Sequence, residues 1–214
     1  MTIAAAQERL GSNSRAVSLD ITNATAVKSA ITDIERGLGP IKGVLNSAGI
    51  ARDVHCLETD PEMFRAILEV NVIGSFIVAQ AAARSMIEAK RAGAVVNIAS
   101  ISGMRGNIGR VAYGASKGAV ITMTKVMAVE LAEHNIRVNA VSPGPVETPL
   151  VQKLHGEDIR HQWLRTIPQR RYAAPIEIAS AIVFLLDNAK ASFITGQNLA
   201  VDGGFDGGGL LPDY

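Results

Sequence analysis

Among the 214 residues there is a single cysteine, Cys56, so no disulfide can close within the chain and its stability must come from burial. The neighbouring His55 lacks the further ligands a metal site needs, and no metal is expected. An excess of one charge is lacking too, since 21 Lys and Arg face 20 Asp and Glu. That balance gives nothing to attract nucleic acid or an anionic membrane, and neither partner is expected. No apolar run approaches eighteen uninterrupted residues, and MTIAAAQERL has no basic stretch followed by a long apolar core. Neither a spanning helix nor a leader is expected, and a cytoplasmic location is the default.

What is present is an ordinary globular composition, 48% apolar and 19% charged, at a length that predicts one domain, residues 1–214, around one core. Residues 2–10 read as the tail of a helix stopped by Gly11, and RAVSLD at 15–20 as a short strand. Asn23 can cap a helix over 24–36, which ends in Gly37, Gly39 and Pro40. A buried strand at 42–46 runs into a turn of small residues, and one long helix is expected over 61–89 with Pro61 in its first turn. Strand 94–99, helix 112–134, strand 136–142, helix 175–187 and a last strand at 197–201 complete the pattern, with a polar, less regular segment over 150–172. Strands alternating with helices predict an α/β fold, doubly wound, with a mainly parallel sheet and helices on both faces.

The chemistry gathers in AVVNIASISGMRGNIGRVAYGASKGAVITMTKVMAVE, residues 94–130. Tyr113 and Lys117 stand four apart where helical periodicity begins, so both leave one face a turn from each other. An ammonium that close favours phenolate and is expected to lower the Tyr113 pKa toward the range useful for proton transfer. Ser100 ends a buried-looking strand and can donate a hydrogen bond to the oxygen that the tyrosine protonates. A pair of this spacing is common on helices. A strand ending in serine, then a glycine-rich loop, then Tyr and Lys opening a helix is not.

That arrangement, with the serine thirteen residues before the tyrosine, resembles the short-chain dehydrogenase/reductase family. The resemblance implies a Rossmann-like fold and hydride transfer between NAD or NADP and a secondary alcohol or ketone, with Asn71, Ser100, Tyr113 and Lys117 as the catalytic set. In the family the matching asparagine holds a water that relays protons to the lysine. Asn46, Ser47, Ala48 and Gly49 match the family's N-N-A-G turn except at Ser47, which places Asn46, Ala48 and Gly49 beside the adenosine. Asp20 and Ile21 correspond to the adenine contact. Pro143, Gly144, Val146 and Thr148, in SPGPVETP, would grip the nicotinamide carboxamide. Ser100, Ser102 and Tyr113 would face the substrate, and 150–172 would form its lid. Asp202, Gly203 and Gly204 match a closing structural signature. The tail FDGGGLLPDY is flexible by composition and expected to reach a neighbouring subunit. The helices over 61–89 and 112–134 are apolar on nearly every face, which predicts a homo-oligomer, a dimer or tetramer, joined through them.

The family's opening T-G-x-x-x-G-x-G is not found before Gly37. The regularly spaced Gly103, Gly106 and Gly109 follow the Ser100 strand and read as loop and substrate-side residues. MTIAAAQERL resembles the end of the family's second crossover helix and RAVSLDIT its third strand, so a first βαβ unit that cradles the pyrophosphate is absent from this sequence. Two arrangements are expected to follow: strand 15–20 sliding in beside strand 42–46, or disorder over the first forty residues. The absence also leaves an alternative function open, an impaired or inactive homologue serving as an oligomeric scaffold. An alternative substrate is a 3-oxoacyl thioester on a carrier protein, met by Arg105, Arg110 or Arg170.

Overall fold

A computed structural model describes residues 3–208; of the side chains of Leu150, Lys153 and Leu154 nothing is said. The elements in chain order are α1 (Ile3–Leu10), α2 (Ala24–Leu38), β1 (Gly43–Asn46), α3 (Pro61–Leu68), a π-helical turn (Glu69–Gly74), α4 (Ser75–Glu88), β2 (Gly93–Ile98), α5 (Val111–Leu131), β3 (Ile136–Pro143), α6 (Pro149–Leu154), α7 (Glu157–Thr166), α8 (Pro175–Leu186) and β4 (Asn198–Val201).

The four strands pair in the order β1-β2-β3-β4, every pair parallel. β2 and β3 are buried on both faces, which is why the sequence shows continuous apolar runs there; β1 is not the buried strand expected, since Leu45 is exposed at this outer position of the sheet. Val95 and Val138 pack with Ala79, Met127 and Ala128 of α4 and α5. Their neighbours Val96 and Val141 turn the other way, onto Ile178, Ile182 and Leu185 of α8. The expected doubly wound arrangement is therefore present, with helices on both faces. The run from Pro61 to Glu88 is long and apolar enough by composition to cross a membrane, but Ala79, Ala82, Ala83 and Met86 are buried against the sheet and α2 side of this domain.

Helix starts follow local chemistry. Asn23 Oδ1 accepts from the Ala26 N–H at 3.0 Å, and Asp60 Oδ2 from Met63 N–H at 3.3 Å with Pro61 following.

Several expectations are corrected. Residues 15–20 form no strand, because β1 pairs only with β2 and no described residue offers this segment a ladder. It does not slide in beside β1; the Ala16 N–H is tied instead to Gln7 Oε1 at 2.7 Å, and Val17 and Leu19 stay exposed. Nor are the first forty residues irregular throughout, since α1 is formed and α2 packs on α4 through Ile31, Ala82 and Met86. The helix over 61–89 is interrupted by the π turn around Asn71. The segment over 150–172 contains two helices, and Tyr172 and Ile167 within it are buried. The described part of the tail is held: Phe205 stacks on Trp163 at 5.4 Å and Arg105 pairs with Asp206 at 3.2 Å. Residues 209–214 lie outside the described residues.

Candidate active site

In a parallel sheet the carboxyl ends of all strands share one edge, and the turns there form the crevice in which such folds bind ligands. Ser100 comes just after β2 on that edge. Its backbone is extended, it caps a single turn over Ile101–Gly103, and its Oγ accepts from the Ser102 N–H at 3.1 Å. The Ser100 side chain is close enough to Tyr113 to pull its pKa down. The approach of α5 to this turn depends on Gly103, where a Cβ would fall 2.6 Å from the backbone carbon of Lys117. Lys117 is buried, and its Nζ donates to the Ile98 carbonyl at 2.7 Å. The other two ammonium donors have no partner among the described residues, which suits a ligand hydroxyl.

The electrostatics differ from the sequence expectation. Burial pushes the Tyr113 pKa above its ordinary value, while the Ser100 side chain and the Arg110 charge pull it down and Asp53 raises it. The net shift is upward, opposite to the lowering that the spacing of Tyr113 and Lys117 predicts. Spacing on a helix fixes the face but not where a four-carbon stem ends, and this ammonium is turned to Ile98, 5.7 Å from the Tyr113 ring centre. Burial lowers the Lys117 pKa to about 8, because a low-polarity surrounding disfavours the cation.

Asn71 is fully buried. Its Oδ1 accepts from Ile50 N–H at 2.8 Å, and its Nδ2 donates to the Ile50 carbonyl at 3.0 Å and to Ser116 Oγ at 2.9 Å. Both amide hydrogens are thus committed, so the side chain clamps the loop after β1 to α5. Around Asn71 the helix opens into a π turn. Gly49 lies in this clamp: a Cβ there would stand 3.1 Å from Asn71 Oδ1 and 3.7 Å from Lys117 Nζ. Asn46 turns inward, its Nδ2 donating to the Ser75 carbonyl at 3.0 Å and Asn97 Oδ1 at 2.9 Å, and Asn97 passes the chain on to Thr124. Ala48 lies between these two positions in the same exposed turn.

After β3, Gly144 N–H donates to the Val201 carbonyl at 3.0 Å and Val146 packs beside Val96 and Val141. Thr148 caps α6, its Oγ1 accepting from Val151 N–H at 3.2 Å. Pro143 ends β3 opposite Val201. Asp20 is exposed and accepts from the N–H and Oγ1 of Thr22, and Ile21 packs on Gly74; no contact joins either to Tyr113.

A cleft of about 590 Å³ opens over the loop between Ser102 and Arg110 and the start of α5, lined by His55, Cys56, Ser102, Gly106, Ile108 and Arg110 among others; Ser100, Tyr113 and Lys117 are not in its lining. Gly103, Gly106 and Gly109 all line it. Sequence reasoning missed Arg110 as a neighbour of Tyr113, although a spacing of three at a helix start is the signal for it.

The family profile described as enoyl-(acyl carrier protein) reductase matches residues 1–206. This chain belongs to the short-chain dehydrogenase/reductase family. It is 41% identical over 186 residues to the 3-oxoacyl-(acyl-carrier-protein) reductase of Thermotoga maritima, covering 87% of this chain and 74% of that one. It is 40% identical over 204 residues to the inactive 2-(S)-hydroxypropyl-CoM dehydrogenase 2 of Xanthobacter autotrophicus, covering 93% and 88%. Among solved structures, gluconate 5-dehydrogenase of Burkholderia cenocepacia, in complex with NADP and tartrate, superposes with a TM-score of 0.84 at 32% identity, over 89% of this chain and 74% of that one. A 4-hydroxyisoleucine dehydrogenase complexed with NADH gives 0.81 at 33% identity, over 91% and 82%.

The residues of this family member fit the nicotinamide end of such a dinucleotide. The half-satisfied Lys117 ammonium and the close approach of the Gly49 turn lie together at the strand ends. For the pyrophosphate, no glycine-rich turn between a strand and a helix N-terminus occurs among the described residues before β1.

Proposed function

We propose that the chain is an oxidoreductase acting between NAD or NADP and a secondary alcohol or ketone. The observation that carries this reading is the gathering of Ser100, Tyr113 and buried Lys117 where β2 gives way to α5, with the Lys117 ammonium 5.7 Å from the Tyr113 ring centre and 2.7 Å from the Ile98 carbonyl. Bound nicotinamide supplies the hydride chemistry. Tyr113 gives a proton to, or takes one from, the substrate oxygen. Ser100 orients that oxygen, and the two free donors of Lys117 hold a ribose hydroxyl. Asn71 keeps the Gly49 turn against α5 so that the dinucleotide has a wall to lie on. The cleft lined by Ser102 and the loop to Arg110 takes the substrate, with α6 and α7 as its lid.

The exposure of Ile73, Phe76, Val126 and Val129 on the π turn, α4 and α5 supports the homo-oligomer reading, in which a second copy covers them. The scaffold alternative draws on the missing opening motif and on the relative named as inactive. Consumption of NADH and NADPH, followed at 340 nm against a panel of ketones that includes 3-oxoacyl thioesters, separates the two. Turnover that disappears in Tyr113→Phe is expected. Turnover unchanged by that substitution refutes the role of Tyr113, and binding without any turnover favours the scaffold.

A further inference from the structure

A second group of titratable side chains, on α6, α7 and the loops beside them, is left unused by the proposed chemistry. Tyr172 is only 5% exposed, and its hydroxyl lies 2.9 Å from Nδ1 of His155, the residue that closes α6. The two rings meet edge to face at 5.8 Å, and the Arg160 guanidinium of α7 covers the Tyr172 ring at 4.4 Å. Glu147 fixes Arg160 in turn, with its Oε2 3.3 Å from Nη1. Beneath this group the backbone is laddered: Val146 and Ala173 form a parallel bridge, Glu147 N–H donates to the Ala173 carbonyl at 2.9 Å, and Ala173 N–H to the Pro145 carbonyl at 2.9 Å. His155 therefore ties the α6–α7 pair to a base made of the loop after β3 and the segment before α8.

We propose that His155 and Tyr172 form a pH-sensitive latch: the neutral imidazole keeps α6 and α7 seated on the loop after β3, and its protonation releases them. The inference rests on α6 and α7 being the lid of the proposed oxidoreductase. Burial raises the Tyr172 pKa, so the hydroxyl keeps its proton and can give it to a neutral Nδ1. An imidazolium at this place would stand partly out of water with two guanidiniums near it. The charged groups that face it are Arg110 and Asp53 from the wall of the cleft, and Arg160 and Glu147 from α7 and the loop after β3. Burial is the largest influence on His155 and lowers its pKa; Arg110 and Arg160 lower it further, while Asp53 and Glu147 oppose them. A lid swung away from these groups returns His155 to its ordinary value of about 6.5. The open state then binds the proton more tightly, so the closed lid is favoured in full above about pH 6.5 and loses ground as the pH falls below it.

Trp163, the single tryptophan of the chain, lies on α7 and stacks on Phe205 at 5.4 Å, so its quenching by acrylamide in the full chain without ligand reads the seating of the lid. In the parent the quenching constant is expected to rise as the pH is lowered from about 8 to about 5, with a midpoint below about 6.5 and unchanged circular dichroism. His155→Gln leaves a polar group for the Tyr172 hydroxyl but cannot titrate, and its constant should stay low and flat. His161→Gln, which alters the histidine of α7 itself, should keep the parent profile. Tyr172→Phe removes the hydroxyl and should raise the constant already at about pH 8. A His155→Gln profile equal to the parent's overturns the proposal, and so does a parent constant that is flat with pH or rises only with loss of circular dichroism. Should His155→Gln fail to fold, Tyr172→Phe decides: a constant equal to the parent's at the higher pH overturns the latch. No turnover is measured, so the latch can fail while the oxidoreductase reading stands. Full turnover in Tyr113→Phe would sink that reading and leave the quenching profile as it is.

Discussion

At the scale of the residue, Lys117 carries a penalty that can be measured. Its pKa is lowered in the fold to about 8, against about 10.4 in an unfolded chain. The unfolded state therefore binds the proton more tightly, and this residue works against stability at neutral pH. That cost is present in full below about pH 8 and fades as pH climbs toward about 10.4. Lys117→Met should be more stable than the parent at pH 7, with the difference shrinking by roughly 3 kcal/mol by pH 10.5. Urea unfolding of both proteins at several pH values checks it, and a difference flat with pH would mean the ammonium is better solvated than its burial implies. The same burial raises Tyr113, so the phenol stays protonated at neutral pH and is set to donate. Tyr113→Phe should lower ketone reduction by roughly 10²–10⁴-fold or more without changing the unfolding midpoint by much; a variant reducing ketones at the parent rate would contradict this.

At the scale of the element, the π turn over Glu69–Gly74 is the device that builds the site. Asn71 satisfies both backbone groups of Ile50 and reaches Ser116 on α5, tying three segments through one amide. Asn71→Ala would strand those groups, and a loss of roughly 1–3 kcal/mol is expected in urea unfolding. A loss below about 0.5 kcal/mol would show that water replaces the amide. Much of this scale was legible in the sequence. Strands at 42–46, 94–99 and 136–142 lie within a residue or so of β1, β2 and β3: burial on both faces writes a continuous apolar run in β2 and β3, and β1 carries a short run although Leu45 is exposed. What could not be read depended on partners far along the chain. RAVSLD has a strand's composition but no neighbour to pair with. The helix over 61–89 has unbroken apolar periodicity, and only the pull of Ile50 and Ser116 on Asn71 opens the π turn. The polar text of 150–172 hides Tyr172, whose hydroxyl lies 2.9 Å from His155 Nδ1 under the Arg160 guanidinium. At the site, spacing placed Tyr113 and Lys117 on one face but could not give the direction of the ammonium.

At the scale of the whole molecule, two features call for covering. Val126 and Val129 on α5 and Phe76 on α4 are exposed large apolar residues on the helices expected to associate. Ile176, Val183 and Phe184 on α8, with Phe193, form a further exposed apolar set that sequence periodicity did not single out. If α4 and α5 join copies of the chain, sedimentation velocity should give a dimer or larger species for the parent. Val126→Glu with Val129→Glu should give a monomer of unchanged circular dichroism. A parent that sediments as a monomer at micromolar concentration would remove α5 as an interface. The sheet edge at β1 is the other feature, unpaired among the described residues, on the side where the family places the strands that cradle pyrophosphate. The site thus has its nicotinamide end built from residues in hand, and the central claim is that this end suffices to hold the cofactor. Titration of the purified chain with NADH and with NADPH, followed by the enhancement of nicotinamide fluorescence, tests it most directly. Saturable binding of at least one, weakened roughly tenfold or more in Lys117→Met for the loss of a charge-assisted hydrogen bond, is the predicted result. No saturation with either nucleotide at millimolar concentration would contradict it.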